Sequence, residues 1–99
     1  MVVEYIRYSI AESDAQAFEA AYAEAAGALD ASEHCLRYEL SQGVEEPEHW
    51  ILRIEWDSVE GHEQGFRTSP GFRAFFTAIR PYFEQIDVKH YAATSVASA

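Results

Sequence analysis

The sequence predicts an α+β domain: a four-stranded antiparallel sheet with helices on one of its faces. Three observations predict it. Segments of period-two alternation near residues 2–9, 34–42, 49–57 and 85–91 are separated by two stretches of helical spacing. The middle two alternating segments are joined by turn residues alone, whereas the outer two are reached through helices. Ninety-nine residues also leave room for one domain over 1–99 and for no second core.

Residues 2–9 read as a half-buried strand, with Ile6 and Tyr8 on one side and Tyr5 and Arg7 on the other. Ser13 followed by Gln16 has capping-box spacing and predicts a helix start. Ala15, Phe18, Tyr22, Ala25 and Leu29 then form one apolar stripe, while Glu19, Glu24 and Asp30 fall toward water. Asp57 or Ser58 caps a short helical piece that is expected to stop at Gly65. Ser69-Pro70 restarts the helix, Ser as cap and Pro at the first helical position. Phe72, Phe75, Phe76, Ile79 and Phe83 make its apolar stripe. Residues 85–91 return as the last strand, Ile86 and Val88 inward, and the small-residue stretch 92–99 is expected to be a flexible tail. Strand, helix, strand, strand, split helix, strand is the order of the ferredoxin-like βαββαβ sandwich.

Charge sets the register of the central hairpin. Matching faces across 34–42 and 49–57 requires paired numbers with an even sum, so 90 and 92 compete. A sum of 90 places Arg37 opposite Arg53. A sum of 92 places Arg37 opposite Glu55 and Glu39 opposite Arg53, and each opposite-charge pair contributes roughly 0.2–1 kcal/mol. The apolar face agrees, with Leu36 against Trp56, Tyr38 against Ile54 and Leu40 against Leu52. The sum of 92 is the expectation, with the turn near Glu45-Glu46-Pro47.

Composition excludes several functions. Seventeen acids against seven bases give a formal charge of −10, which disfavours nucleic acid and anionic membranes as partners. The lone Cys35 rules out an internal disulfide and fits a reducing cytoplasm; nothing at the N-terminus reads as a signal peptide. Six Phe, six Tyr and two Trp exceed what a bare fold requires and point to a ligand cavity or a partner surface. Arg7, Arg37, Arg53 and Lys89 share one strand parity with Glu39, Glu55 and Asp87, and Tyr5, Ile51 and Tyr91 lie between them. A sheet face of paired charges and aromatics suits a self-complementary interface between two copies, formed by Tyr5, Arg7, Arg37, Glu39, Arg53 and Glu55.

The stretch Ile51-Leu52-Arg53-Ile54-Glu55-Trp56-Asp57-Ser58-Val59-Glu60-Gly61-His62 resembles the antibiotic biosynthesis monooxygenase family. Phe66-Arg67-Thr68-Ser69-Pro70-Gly71-Phe72 continues the likeness, as does the final strand through His90-Tyr91. The resemblance implies a dimeric α/β barrel, ferredoxin-like subunits joined sheet to sheet. It also implies, from the polyketide-oxidising members, an oxygenase that uses no flavin, haem or metal. The haem-degrading branch carries a Trp and, ten residues later, a His, where this chain has Phe66 and Phe76; neither can ligate iron. Many other members have a His at the position of Phe66, and here the only helical His is His62.

In such an oxygenase the pocket binds an electron-rich phenol, enol or quinol and helps remove a proton, after which the anion reacts with O₂ directly. His62 is the candidate catalytic base, since imidazole titrates near neutrality. Phe18, Tyr22, Trp50, Trp56, Phe66, Phe72 and Phe76 are the candidate substrate-binding aromatics, and His90, of inward parity, joins them at the pocket edge. His34 and His49 sit at hairpin ends and read as solvated. The histidines lack H-x-x-H or H-E-x-x-H spacing, so neither a metal site nor a bound cofactor is expected. Cys35, of polar-face parity, reads as an inert interface thiol. Two functions follow: a cofactor-independent monooxygenase acting on a small aromatic molecule, or a non-catalytic dimeric binding or accessory protein of the same fold.

Overall fold

The computed structural model describes residues 1–96. Its element order is β1 (Val2–Ser9), α1 (Ala15–Asp30), β2 (Cys35–Gln42), β3 (His49–Trp56), α2 (Pro70–Ile79) and β4 (Ile86–Ala92). A 3₁₀ turn over Glu12–Asp14 leads into α1, a π-helical segment over Gly61–Phe66 precedes α2, and a 3₁₀ stretch over Arg80–Gln85 follows it. The four strands form one antiparallel sheet in the order β2-β3-β1-β4, the ferredoxin-like arrangement, with both helices on one face. The sheet is open, its edges being β2 and β4.

Alternation along the strands decides the two faces. Ile6, Tyr8, Trp50, Leu52, Ile54 and Trp56 turn toward the helices and are buried with Phe18, Tyr22, Ala25 and Leu29 of α1 and Phe75 and Ile79 of α2. Burying a side chain of this size contributes roughly 1.5–3 kcal/mol, so this one layer supplies most of the driving force for folding. At its centre Tyr8 and Tyr22 are hydrogen-bonded to one another, with Phe18 packed against both at 5.0 and 5.2 Å between ring centroids.

The hairpin adopts the register expected from charge. Arg37 lies opposite Glu55, Glu39 opposite Arg53, Tyr38 opposite Ile54 and Leu40 opposite Leu52. A β-bulge between Cys35 and Arg37 breaks the pattern at its end. The extra residue places Cys35, not Leu36, opposite Trp56, and Leu36 is left 56% exposed. The bulge also reverses the parity of Cys35, which packs against the core instead of joining the polar face. Burial, with Asp30 and Glu55 nearby, pushes its thiol pKa up to about 11, which disfavours the reactive thiolate.

Four further expectations are corrected. The Ser13 capping box is not used, because the 3₁₀ turn moves the start of α1 to Ala15, and Asp14 precedes it without a side-chain cap. Gly65 does not stop the short helical piece, which continues through Phe66 as a π turn. A Cβ on Gly65 would lie 2.3 Å from His34 Cδ2, and one on Gly61 would lie 2.0 Å from Asp57 Oδ1 and 2.8 Å from His34 Nδ1. His34 and His49 are half-buried beside acids, His34 Nδ1 standing 3.0 Å from Asp57 Oδ2 and His49 Nδ1 2.6 Å from Glu46 Oε2. The expected tail begins one residue late, since Ala92 closes β4 and Ala93 N–H donates to the Met1 carbonyl; residues 97–99 lie outside the described residues.

Ser58 and Ser69 cap as their sequence context requires. Ser58 Oγ accepts from Gly61 N–H at 2.9 Å. Ser69 Oγ accepts from Phe72 N–H at 3.3 Å and donates to the Phe66 carbonyl at 2.6 Å, joining the π segment to α2. Ser69→Ala should therefore cost about 1–2 kcal/mol in urea unfolding, and Ser69→Thr should recover most of it. An unchanged unfolding midpoint in Ser69→Ala would show that the junction is held by packing alone.

Candidate functional site

Where α2 and the π segment lie over β1, β3 and β4, the two layers do not close. They leave an apolar cleft of about 350 Å³, walled by Phe66, Phe72, Phe75, Phe76 and Phe83 above and by Ile6, Ile54, Ile86 and Val88 below. The helical side owes its aromatics to the stripe of α2. The strand side is the inward row of β4, an edge strand with no helix packed squarely over it, and Val88 stays 38% exposed.

One end of the cleft is polar. Glu4, on the inward parity of β1, is paired across the sheet with Ile54 on one side and His90 on the other. Its side chain is only 8% exposed. Trp56 Nε1–H donates to Glu4 Oε1 at 3.0 Å. His62 Nε2 stands 3.5 Å from Oε1, and His90 Nε2 stands 3.5 Å from Oε2. The His62 ring stacks on the Trp56 indole, centroids 4.6 Å apart and planes 14° from parallel, and lies 5.1 Å from the ring of His90.

The π segment explains how a short helix delivers His62 here. Arg67 N–H bonds the carbonyl of His62, five residues back, and the widened turn sets both His62 and Phe66 against Trp56. Burial lowers the pKa of His62 below its ordinary 6.5; Glu4 opposes the effect, and electrostatic interaction with His90 and Arg67 adds to it. The imidazole is therefore neutral at pH 7, with one ring nitrogen unprotonated, and is itself buried.

The structure divides the residues singled out from sequence. His62, Trp56, Phe66, Phe72, Phe76 and His90 all line the one cleft. Phe18, Tyr22 and Trp50 do not; they are buried at the other end of the sheet, where Phe18 meets Trp50 and Tyr22 in edge-on contacts. Helical spacing places Phe18 and Tyr22 on the correct face of α1, but not at the correct distance along it. Glu4 escaped sequence reasoning. Its only signal was an acid at an even position in a strand whose other even positions, Ile6 and Tyr8, are apolar. Arg67 escaped as well; its guanidinium lies 5.9 Å from the centroid of Phe72 and helps line the cleft.

The outer face of the sheet is a second candidate surface. Three rows cross β2, β3, β1 and β4 in turn: Arg37, Glu55, Val3, Tyr91; Glu39, Arg53, Tyr5, Lys89; and Ser41, Ile51, Arg7, Asp87. Glu55 receives both Arg53 Nη1 at 2.5 Å and Arg37 Nε at 3.4 Å, and Arg53 Nε–H donates to Tyr5 Oη at 3.3 Å. Next to them Val3, Tyr5, Arg7, Ile51 and Tyr91 border a concavity of about 600 Å³. No helix among the described residues is long and apolar enough to cross a membrane.

The chain was compared with known proteins. The family model for antibiotic biosynthesis monooxygenase matches residues 1–78, a span that contains Glu4 and His62 and ends before β4. The uncharacterized protein YczJ of Bacillus subtilis strain 168 is 28% identical over 92 residues, covering 92% of this chain and 97% of that protein. A solved protein of Bordetella bronchiseptica, described as a candidate antibiotic biosynthesis monooxygenase, superposes with a TM-score of 0.82 at 22% identity, over 94% of this chain and 96% of that one. SnoaB of Streptomyces nogalater, described as a cofactor-independent oxygenase and solved in a mutant form, superposes with a TM-score of 0.80 at 18% identity, over 96% of this chain and 94% of that one. Likeness at these identities shows a shared fold.

The lowered pKa of His62 has a consequence for stability. Between that lowered value and 6.5 the unfolded chain binds more protons than the folded one, so stability rises with pH through this window. The contribution is complete above about pH 6.5 and is lost as pH falls through the folded value. Urea unfolding followed from about pH 7 down to about pH 5 should show this decline, and His62→Asn should flatten it. Parallel pH profiles for the two proteins would mean that His62 is not held neutral.

Proposed function

The chain belongs to the antibiotic biosynthesis monooxygenase family, and from that premise we propose that it is a cofactor-independent monooxygenase acting on a small phenolic, enolic or quinol-like aromatic. What carries the reading is the neutral, buried His62 at the polar end of an otherwise apolar cleft, with the Glu4 carboxylate 3.5 Å from its Nε2. SnoaB, described as a cofactor-independent oxygenase, shares the fold and lends the reading further support.

The chemistry asks little of the protein. The aromatic walls hold a flat substrate by burying it, and they exclude water that would stabilise the wrong charges. The unprotonated ring nitrogen of His62 takes a proton from a phenol, or from a ring methylene acidified by conjugated carbonyls. The imidazolium so formed is stabilised by Glu4. For a methylene, the carbanion passes one electron to O₂, the two radicals join through a C–O bond, and a proton completes the hydroperoxide. Loss of the second C–H proton with cleavage of the O–O bond leaves a carbonyl and one water. Methylene plus O₂ thus gives carbonyl plus water; the methylene supplies all four electrons, so no external reductant is needed. Arg67, at the cleft wall, suits a phenolate or carboxylate on the far edge of the substrate.

In the same reading two copies pair through the outer sheet face. Its rows place acids and bases side by side, so a two-fold copy can meet opposite charges, and the concavity beside Tyr5 and Tyr91 offers apolar contact.

Two measurements test these proposals. With an anthrone or hydroquinone as substrate and no added cofactor, oxygen uptake should fall by about 10²–10⁴-fold in His62→Ala, the usual loss for an acid–base group. Tight binding of such compounds with no oxygen uptake would instead identify a binding protein. In sedimentation the chain should run at twice its own mass at micromolar concentration, and Arg53→Glu should shift it toward monomer by leaving Glu55 and Glu39 facing a third acid. A monomeric wild-type chain would remove the sheet face as an interface.

A further inference from the structure

We propose that Glu4, His62 and His90 form a binding site for one divalent first-row transition-metal ion. The three donors come from β1, the π segment and β4, and their ligand atoms all lie within 4.8 Å of one another. Two imidazoles and one carboxylate suit iron, cobalt or zinc, whereas magnesium and calcium prefer sets made wholly of oxygen.

The two His–Glu distances, made to different carboxylate oxygens of a donor set spanning up to 4.8 Å, suit a shared ion once the ligands draw in slightly. Both His–Glu separations are 3.5 Å, longer than a charge-assisted hydrogen bond. Ligands bound at about 2.0–2.1 Å around a tetrahedral centre stand about 3.4 Å apart. Both imidazoles present Nε2 to the carboxylate, so neither ring must flip to bind. Trp56 Nε1–H holds Oε1 of Glu4, a partner of the kind that orients a ligating carboxylate. His90, 43% exposed on an edge strand, is free to rotate the short way needed to close the set.

Three protein ligands leave positions open, and here they would face the apolar cleft. That is the arrangement of a site that meets substrate, in contrast to a closed structural one. The inference goes beyond the cofactor-free reading and competes with it, because an ion bound to His62 withdraws the electron density that the base would use.

The test is titration of chelator-treated protein with Co²⁺, followed by visible absorption and calorimetry. One ion per chain is expected, with the strong d–d absorption of a four- or five-coordinate centre. Glu4→Gln and His90→Ala should each weaken binding by about 100-fold or more, given that partners outside the ligand set alone change affinity 10–100-fold. His90 is half-exposed, so its variant keeps the test alive if Glu4→Gln fails to fold. His34→Ala, which removes a histidine–acid pair outside the site, should leave the titration unchanged. The weak spectrum of the hydrated ion, or a full signal retained in His90→Ala, would overturn the site. Oxygen uptake by the metal-free protein is a separate readout: its persistence keeps the base mechanism whatever cobalt does, and where both hold, one equivalent of Co²⁺ should suppress it.

Discussion

A buried acid is expensive, and much of this molecule is arranged around one. An unpaired carboxylate moved out of water costs several kcal/mol, so Glu4 could not sit among Ile6, Ile54 and Trp56 without partners. Its main partner is the indole N–H of Trp56, which is itself fully buried. The same indole is the platform on which His62 stacks. One side chain therefore satisfies the acid, positions the imidazole and fills the core beneath the π segment. Replacing Trp56 with a hydrocarbon ring would keep the packing and strip Glu4 of its donor. That loss would fall on the fold and the site together, because the buried acid would be left without its main donor.

The sheet sorts its chemistry by parity. Inward residues of β1, β3 and β4 carry the core and then, at Glu4 and His90, the polar end of the cleft. Outward residues of the same strands carry the ladder of Arg53, Glu55, Tyr5 and Lys89. A one-residue slip in any strand would exchange the two sets, so the hairpin register is a condition for the site as well as for the fold. The charge pairs across β2 and β3 contribute little energy where they are solvated. Their weight lies in disfavouring the register in which Arg37 would face Arg53.

Those pairs also explain why so much of the fold was legible in the sequence. Alternation, turn residues and opposite charges are local signals, and they agreed on element order, on both faces and on the register through Leu40. What was not legible depended on three-dimensional accidents of spacing. The bulge before Arg37 adds one residue to β2 and so turns Cys35 inward, with no turn residue to announce it. Gly61 and Gly65 look like helix punctuation, yet a side chain at either would meet the Asp57–His34 pair, Asp57 first at Gly61 and His34 at Gly65. Glu4, His62 and His90 are separated by 58 and 28 residues and share no motif; β1–β4 pairing and the π turn bring them together. Phe18 and Tyr22 failed to join the cleft for the converse reason. Spacing specifies a helix face, but not which end of the sheet that face will meet.

The cleft itself departs from what folding alone would produce. Phe76 and Val88, on the helical and strand walls, are each left 38% exposed in a chain that buries Trp56, Tyr8 and Phe18 completely. Larger residues on β4 could have closed the gap and gained roughly 25 cal/mol for each Å² of apolar surface removed from water. Scattered exposed apolar residues need no explanation, but these line one concave site that ends at a buried acid and two histidines. An aromatic guest entering there would recover the missing burial from both walls at once. It would also complete the desolvation of His62, strengthening the charges that proton transfer creates in proportion to the water displaced. Binding and proton abstraction are thus coupled through the same missing piece of core.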